Sequence, residues 1–284
     1  MLQEIADYFS TIPSLHRALI LAGGITLFWL VEYAVPLFKF KYNKFRHALP
    51  NLFFTATTIV VNFGFAFLIV LTSDFVVAQK VGILQWIVMP LWLQIIVGLM
   101  ILDLIGAWLA HFVQHKTKWM WKFHMVHHAD TYVDTTTANR HHPVESVFRV
   151  SFTLLAVFVC GAPMWLVFLY QSMSVVLAQF NHANMRMPVW LDTAISWVIV
   201  SPNMHKVHHH YKLPQTDTNY GNIFSLWDRL FQTYMFTPTK DLNYGLDILD
   251  NTRDNDLGYQ LKIPFDKNIK SAADEGFVPN IPMK

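Results

Sequence analysis

Twelve of the 14 histidines in this 284-residue chain fall between positions 111 and 210. His111 and His115 are spaced i, i+4. His124, His127 and His128 follow as i, i+3, i+4. His205, His208 and His209 repeat that spacing, with His210 directly after. Positions three and four apart share one helix face, so each cluster aims two or three imidazoles at one point. Imidazole nitrogen suits zinc, copper, iron and nickel. Eight or nine neutral histidines are too many for one ion and suit two, so the expected chemistry is a dinuclear metal site. His141, His142 and His182 stand between the clusters. His16 and His47 stand apart and are expected to be incidental. The single cysteine, Cys160, leaves no internal disulfide and no Cys-based zinc or iron–sulfur site.

The scaffold that must hold these side chains is apolar. The chain is 54% hydrophobic and 14% charged, where a soluble domain carries about 25% charged residues. Leu52 to Ser73, Val81 to Leu102 and Val150 to Asn181 contain no charged residue, and Ala18 to Phe38 contains only Glu32. A hydrocarbon core of about 30 Å needs about 20 apolar helical residues, so these four stretches predict an all-α, integral membrane helical bundle. The last run is broken by Cys160-Gly161-Ala162-Pro163 and reads as a hairpin that dips in and returns. Lys39, Lys41, Lys44 and Arg46 lie between the first two runs, against Lys80 offset by Asp74 in the next connection. The positive-inside rule then places the basic loop, and with it a histidine-rich helical cap, in the cytoplasm.

The whole chain, 1–284, reads as one domain. Residues 1–105 are mainly transmembrane helices, 106–147 and 182–236 a metal-binding cap, 148–181 the membrane hairpin. Residues 237–284 read as a cytoplasmic tail packed loosely or not at all. Trp190 to Val200 is too short to span and is expected at the interface. Glu4 and Asp7, with no small-residue cleavage site after the first run, argue against a leader peptide. The net charge of +2 implies no nucleic-acid partner.

The segments LDLIGAWLAHFVQH from Leu102, WKFHMVHHADTYVDTTTANRHHPVE from Trp121, FNHAN from Phe180, SPNMHKVHHH from Ser201 and TDTNYGNIFSLWDRLFQTY from Thr216 resemble the fatty acid hydroxylase superfamily, the sterol desaturase-like membrane di-iron proteins. The resemblance covers about residues 100 to 236. It implies an enzyme that uses O2 and external electrons to hydroxylate or desaturate a C–H bond of a lipid, with two iron ions as cofactor; zinc can take their place on purification. By position it implies His111, His115, His124, His127, His128, His182, His205, His208 and His209 as metal ligands. His142, in the Arg-x-His-Pro-x-Glu element, is a tenth and ranks below His182. No catalytic residue beyond the ligands is implied. His210 is expected beside the site and His141 is expected to be incidental. The family commonly has Gly in WDRLFGTY, where this chain has Gln232.

Metal-bound histidines need a carboxylate or carbonyl to orient the ring. Asp103, Asp134 and Asp228 are the acids expected to do so, with Asp130, Glu145 and Asp217 also near the motifs. Asp228 is expected to pair with Arg140 or another base. Trp119, Trp121, Phe123 and Phe180 are placed either to line a lipid channel or to sit in the interfacial belt. No nucleotide fingerprint or haem motif is present, so electrons are expected from a separate reductase with a ferredoxin or cytochrome. The lipid substrate would enter from the bilayer, and a bacterial inner membrane is the expected location. Two other readings remain: a histidine-rich membrane metal carrier, which should show ionisable residues along its spans, and a zinc-bound lipid hydrolase, which needs only three protein ligands.

Overall fold

The computed structural model describes residues 1–269; the remaining part of the expected tail lies outside the described residues. The order is α1 (Leu2–Ser10), α2 (Ser14–Ala34), α3 (Lys44–Ala78), a short α4 (Ile83–Trp86) and α5 (Leu91–Asp103). A π-helical turn, Leu104–Leu109, carries α5 into α6 (Ala110–Lys116), followed by α7 (Lys118–His128) and a 3-10 turn, Thr135–Asn139. Then come α8 (Pro143–Cys160), α9 (Met164–His182), α10 (Val189–Ile195), α11 (Pro202–His208), α12 (Leu226–Leu230) and α13 (Leu257–Lys262). Among the described residues the fold is all-helical, with two isolated backbone bridges and no strand.

Four stretches are long and apolar enough to cross a membrane: Ser14–Ala34, Lys44–Trp86, Leu91–Lys116 and Pro143–Cys160. Many of their large apolar side chains point outward, Phe63, Val60 and Phe67 among them, as lipid-facing helices require. The third span starts at Leu91, not at Val81 as the uncharged run suggested, because Gly82 and Pro90 break the backbone between them: Gly82 takes φ 103 and Pro90 caps α5. The α8–α9 hairpin turns at the expected break, with Gly161 in the left-handed region at φ 70 and Pro163 starting the return helix.

The far end of the bundle is closed by two turns that press together. A side-chain carbon on Gly82 would lie 2.3 Å from the Gly161 nitrogen. Gln85 Nε2 donates to the Gly161 carbonyl (2.8 Å) and Ser73 Oγ to the Ala162 carbonyl (2.9 Å). Between that end and the histidines lies an apolar core of Leu99, Leu102, Val157, Leu166 and Val167.

Glu32 ties the first span to the cap. Its carboxylate accepts from Lys44 Nζ at 2.6 Å and from the backbone N–H groups of Thr135 (2.7 Å) and Asn184 (2.8 Å), and it is almost fully buried. Removing one partner of a buried, hydrogen-bonded charge costs several kcal/mol. Glu32→Gln is therefore expected to destabilise the protein by about 3 kcal/mol, read as a lower unfolding temperature in detergent; an unchanged temperature would show that the latch carries no load.

The expectation of a loose tail is corrected over residues 237–269. Leu246, Ile263 and Ile269 pack with Phe54, Trp121 and Met125, while Leu242 and Tyr244 pack with Val133 and Val207. The polar look of the segment hid apolar residues spaced to cover the cap.

Candidate metal centre

Nine histidines converge in two buried groups. The first is His111, His115, His124, His128 and His208; the second is His127, His182, His205 and His209. Within each group one ring nitrogen per residue lies within 4.8 Å of all the others. Three elements supply the first group: α6 gives His111 and His115, α7 gives His124 and His128, and α11 gives His208. The second takes His127 from the other side of α7, His182 from the end of α9, and His205 with His209 from α11 and its cap. On α7 and α11 the i, i+3, i+4 spacing thus divides between two neighbouring points instead of serving one.

Four of the outward ring nitrogens are held by fixed acceptors. His111 Nδ1 lies 2.9 Å from the Tyr220 carbonyl, His208 Nδ1 2.6 Å from the Thr218 carbonyl and His124 Nδ1 2.8 Å from Glu145 Oε1. His182 Nδ1 lies 2.7 Å from both the Ala178 carbonyl and Asn181 Oδ1. These acceptors require the proton on Nδ1, so each neutral ring presents a bare Nε2 lone pair inward. Yet His111 and His124 bring their Nε2 atoms to 3.0 Å. His182 Nε2 faces the Nε2 atoms of His127, His205 and His209 at 3.2, 3.1 and 3.1 Å. His115, His128 and His208 leave buried Nε2 atoms with no partner. Lone pairs facing lone pairs repel, unless a cation lies between them. Nitrogens about 2.1 Å from one ion lie about 3 Å from one another, so the donor set fits a metal.

Burial, then the charge of neighbouring imidazoles, holds His127, His128, His205 and His209 well below the ordinary histidine range; for His208 burial leads likewise. All are therefore neutral at physiological pH, the form that ligates metal.

His142 stands apart from both groups. Its Nδ1 accepts the Val144 amide and caps α8, and its ring packs on Phe123. The position ahead of Pro143 makes it a helix cap. His141, expected to be incidental, stacks on His127 at 4.8 Å, and its Nδ1 is 3.0 Å from Glu145 Oε1. Glu145 thus touches a residue of the first group and a residue packed on the second. Only its place one turn into α8 hinted at this.

Of the three acids expected to orient the ligands, Asp228 and Asp103 act at one remove and Asp134 serves the scaffold. Asp228 accepts from Trp108 Nε1 (2.9 Å), Thr233 Oγ1 (2.7 Å) and the backbone of Tyr220 and Gly221, and among the described residues it pairs with no base. It thereby fixes the Tyr220 carbonyl that holds His111. Asp103 accepts from the Ile223 and Phe224 amides and from Trp227 Nε1, pinning the same loop. Asp134 caps the 3-10 turn and accepts from Tyr42, without touching either histidine group. Arg140, instead of meeting Asp228, is fully buried: it donates to the Val126 carbonyl, Asn51 and the Asp254 carbonyl, with Asp130 3.7 Å away.

His47, set apart from the clusters in the sequence, is a buried core residue 3.4 Å from Asp130 Oδ2. The basic loop folds against the cap, which charge alone did not reveal. His210 accepts the Asn243 amide from the tail. Of the four aromatics, Trp121 is buried against the His115 and His128 rings, whereas Trp119 is exposed and packs on Phe148. Phe123 meets Phe148 and Phe265, and Phe180 meets Phe28.

Gln232 sits at φ 59, which explains why glycine is common at this place in the resembling sequences. A left-handed non-glycine residue costs about 1–2 kcal/mol, part of which glycine gives back through the unfolded chain. Gln232→Gly is expected to stabilise the protein by up to about 1 kcal/mol; a fall in unfolding temperature would contradict the strain.

A helical membrane bundle enclosing two buried polyhistidine groups defines a membrane protein with a candidate dinuclear centre. Residues 95–233, which carry all nine converging histidines from His111 to His209, match the family model described as Fatty acid hydroxylase. The resemblance drawn from the motifs is confirmed over that segment. The ornithine lipid hydroxylase OlsE of Rhizobium tropici is 27% identical over 155 residues, 54% of this chain and 44% of that protein. Alkylglycerol monooxygenases of Xenopus tropicalis and Caenorhabditis elegans are 30% and 27% identical, covering 50% and 51% of this chain and 30% and 28% of those proteins. The chain thus matches less than half the length of each of these relatives. No solved structure matches.

Proposed function

We propose that this chain is an O2-dependent lipid oxygenase holding two metal ions, one in each histidine group. His111, His115, His124, His128 and His208 would hold the first; His127, His182, His205 and His209 would hold the second. The observation that carries the reading is the crowding of Nε2 atoms at 3.0 to 3.2 Å, with His111 and His124 facing each other while both of their Nδ1 atoms are held by a carbonyl and a carboxylate, and with three Nε2 atoms gathered on that of His182. Iron bound there supplies the redox chemistry that turns O2 against an unactivated C–H bond.

The protein's own part is position and exclusion. Tyr220, Thr218, Ala178 and Glu145 fix ring tautomers and directions before any ion arrives, which keeps ligands from reorganising during turnover. Trp121 and the tail residues packed over it shut water from one side. The membrane spans deliver the lipid at the bundle end where the histidines lie. Hydroxylation or desaturation of a fatty acyl, sterol or related lipid fits this arrangement, with electrons from a separate donor. The cap faces the cytoplasm in this proposal, on the side of the basic loop of Lys39, Lys41, Lys44 and Arg46.

The test is metal content per chain in mild detergent, from cells supplied with iron, followed by product analysis with membrane lipids, O2 and an added reductase. About two irons and an oxidised lipid are expected. Folded protein without stoichiometric metal would end the proposal.

A further inference from the structure

Arg149 lies on α8 one turn beyond Glu145. Residues four apart share a helix face, and this face also carries Ser146, Ala156 and Cys160, all buried. The guanidinium is therefore carried toward the bundle, and Arg149 is half-buried. Its charge is felt at His111 in the first group, at His141 packed on the second, and at Tyr170 on α9. Among the described residues its side chain has neither an ion pair nor a hydrogen bond; only its backbone carbonyl is engaged, by Thr153. The contrast is Arg140, whose guanidinium is bonded at every nitrogen.

An unpaired cation on a membrane-spanning helix is costly and calls for a partner. Across from it the π-helical turn brings Gly106 close to α8 and α9: a side-chain carbon there would lie 3.3 Å from Tyr170 Oη and 3.9 Å from Thr153 Cα. π-helical turns recur at functional sites. Arg149 lies about 9 Å along α8 from its cap-side end, nearer to the histidine groups than to the Gly161 turn.

We propose that Arg149 binds the oxyanion of an anionic lipid, a carboxylate or a phosphate, and so selects which lipids dock beside the histidine groups. The planar fork of a guanidinium matches both oxyanions with two parallel hydrogen bonds. This deepens the lipid oxygenase reading and rests on it for the role of the docked lipid.

The experiment uses the full chain in neutral detergent and reads binding through tryptophan quenching by brominated lipids of matched chain length: a fatty acid, a phosphatidylglycerol and a neutral diacylglycerol. The wild type is expected to bind at least one anionic lipid about tenfold more tightly than the diacylglycerol, a typical gain for a charge-assisted pair. Preference for the fatty acid alone, the phospholipid alone or both identifies the oxyanion. R149Q should erase the preference, and R149K, which lacks the fork, should lower it at least about threefold. An equal preference in R149Q, or none in the wild type, overturns the proposal. If R149Q fails to fold, an unchanged preference in R149K overturns it. Metal per chain is measured on the same samples: a wild type without metal but with the anionic preference would remove the oxygenase reading and leave the lipid site standing.

Discussion

His208→Ala and His127→Ala are each expected to lose one of two metal ions and to lower turnover at least about 100-fold, a floor set by the 10- to 100-fold cost of losing even an outer orienting partner. The two variants should differ in which ion they lose. His208 belongs to the five-histidine group with His111 and His124, and His127 to the four-histidine group around His182. Metal counts near one per chain, with distinct spectra for the residual iron, are the expected readout. Loss of both ions in either variant would show that the groups form one cooperative site. Two ions retained in both would remove these residues from the ligand set. Membrane insertion should be unaffected, since the spans lie elsewhere in the chain.

Glu145→Gln carries the second large effect. The carboxylate lies 2.8 Å from His124 Nδ1 and 3.0 Å from His141 Nδ1, so one acid steadies a member of one group and a ring stacked on the other. Both rings meet the same oxygen, Oε1, so an amide carbonyl can take its place but without the negative charge that makes hydrogen bonds to a carboxylate strong. Metal affinity is expected to fall about 10- to 100-fold, measured by competition with a chelator. Glu145→Asp, shorter but charged, should recover part of it. Unchanged affinity in Glu145→Gln would assign the His124 ring its orientation from packing alone.

The histidine groups were legible because helical spacing is a local property: His124, His127 and His128 sit on α7, and His205 and His208 on α11, as periodicity requires. The hairpin was legible for the same reason, since Gly161 and Pro163 punctuate the backbone where they stand. Long-range pairings were not. Arg140 joins the Val126 carbonyl, Asn51 and the Asp254 carbonyl, partners spread across α3, α7 and the tail, and nothing around Arg140 announces them. Asp228 looked like half of an ion pair, but it takes backbone N–H groups and an indole instead. His47 lies in the basic loop, and nothing near it in sequence announces its burial beside Asp130. His142 shared a motif with the candidate ligands, and only its place before Pro143 told of a cap.

The buried Arg140 also sets an order of events during biosynthesis. Its contact with the Asp254 carbonyl joins the end of α7, through Val126, to a residue made 45 positions after the last converging histidine, His209. Until the ribosome has passed Asp254, α7 lacks that fastening and Trp121 lacks its cover from Leu246 and Ile263. The histidine groups are therefore fully enclosed only once residue 254 has been made, and a chain stalled short of it would expose its imidazoles to whichever metal the compartment offers.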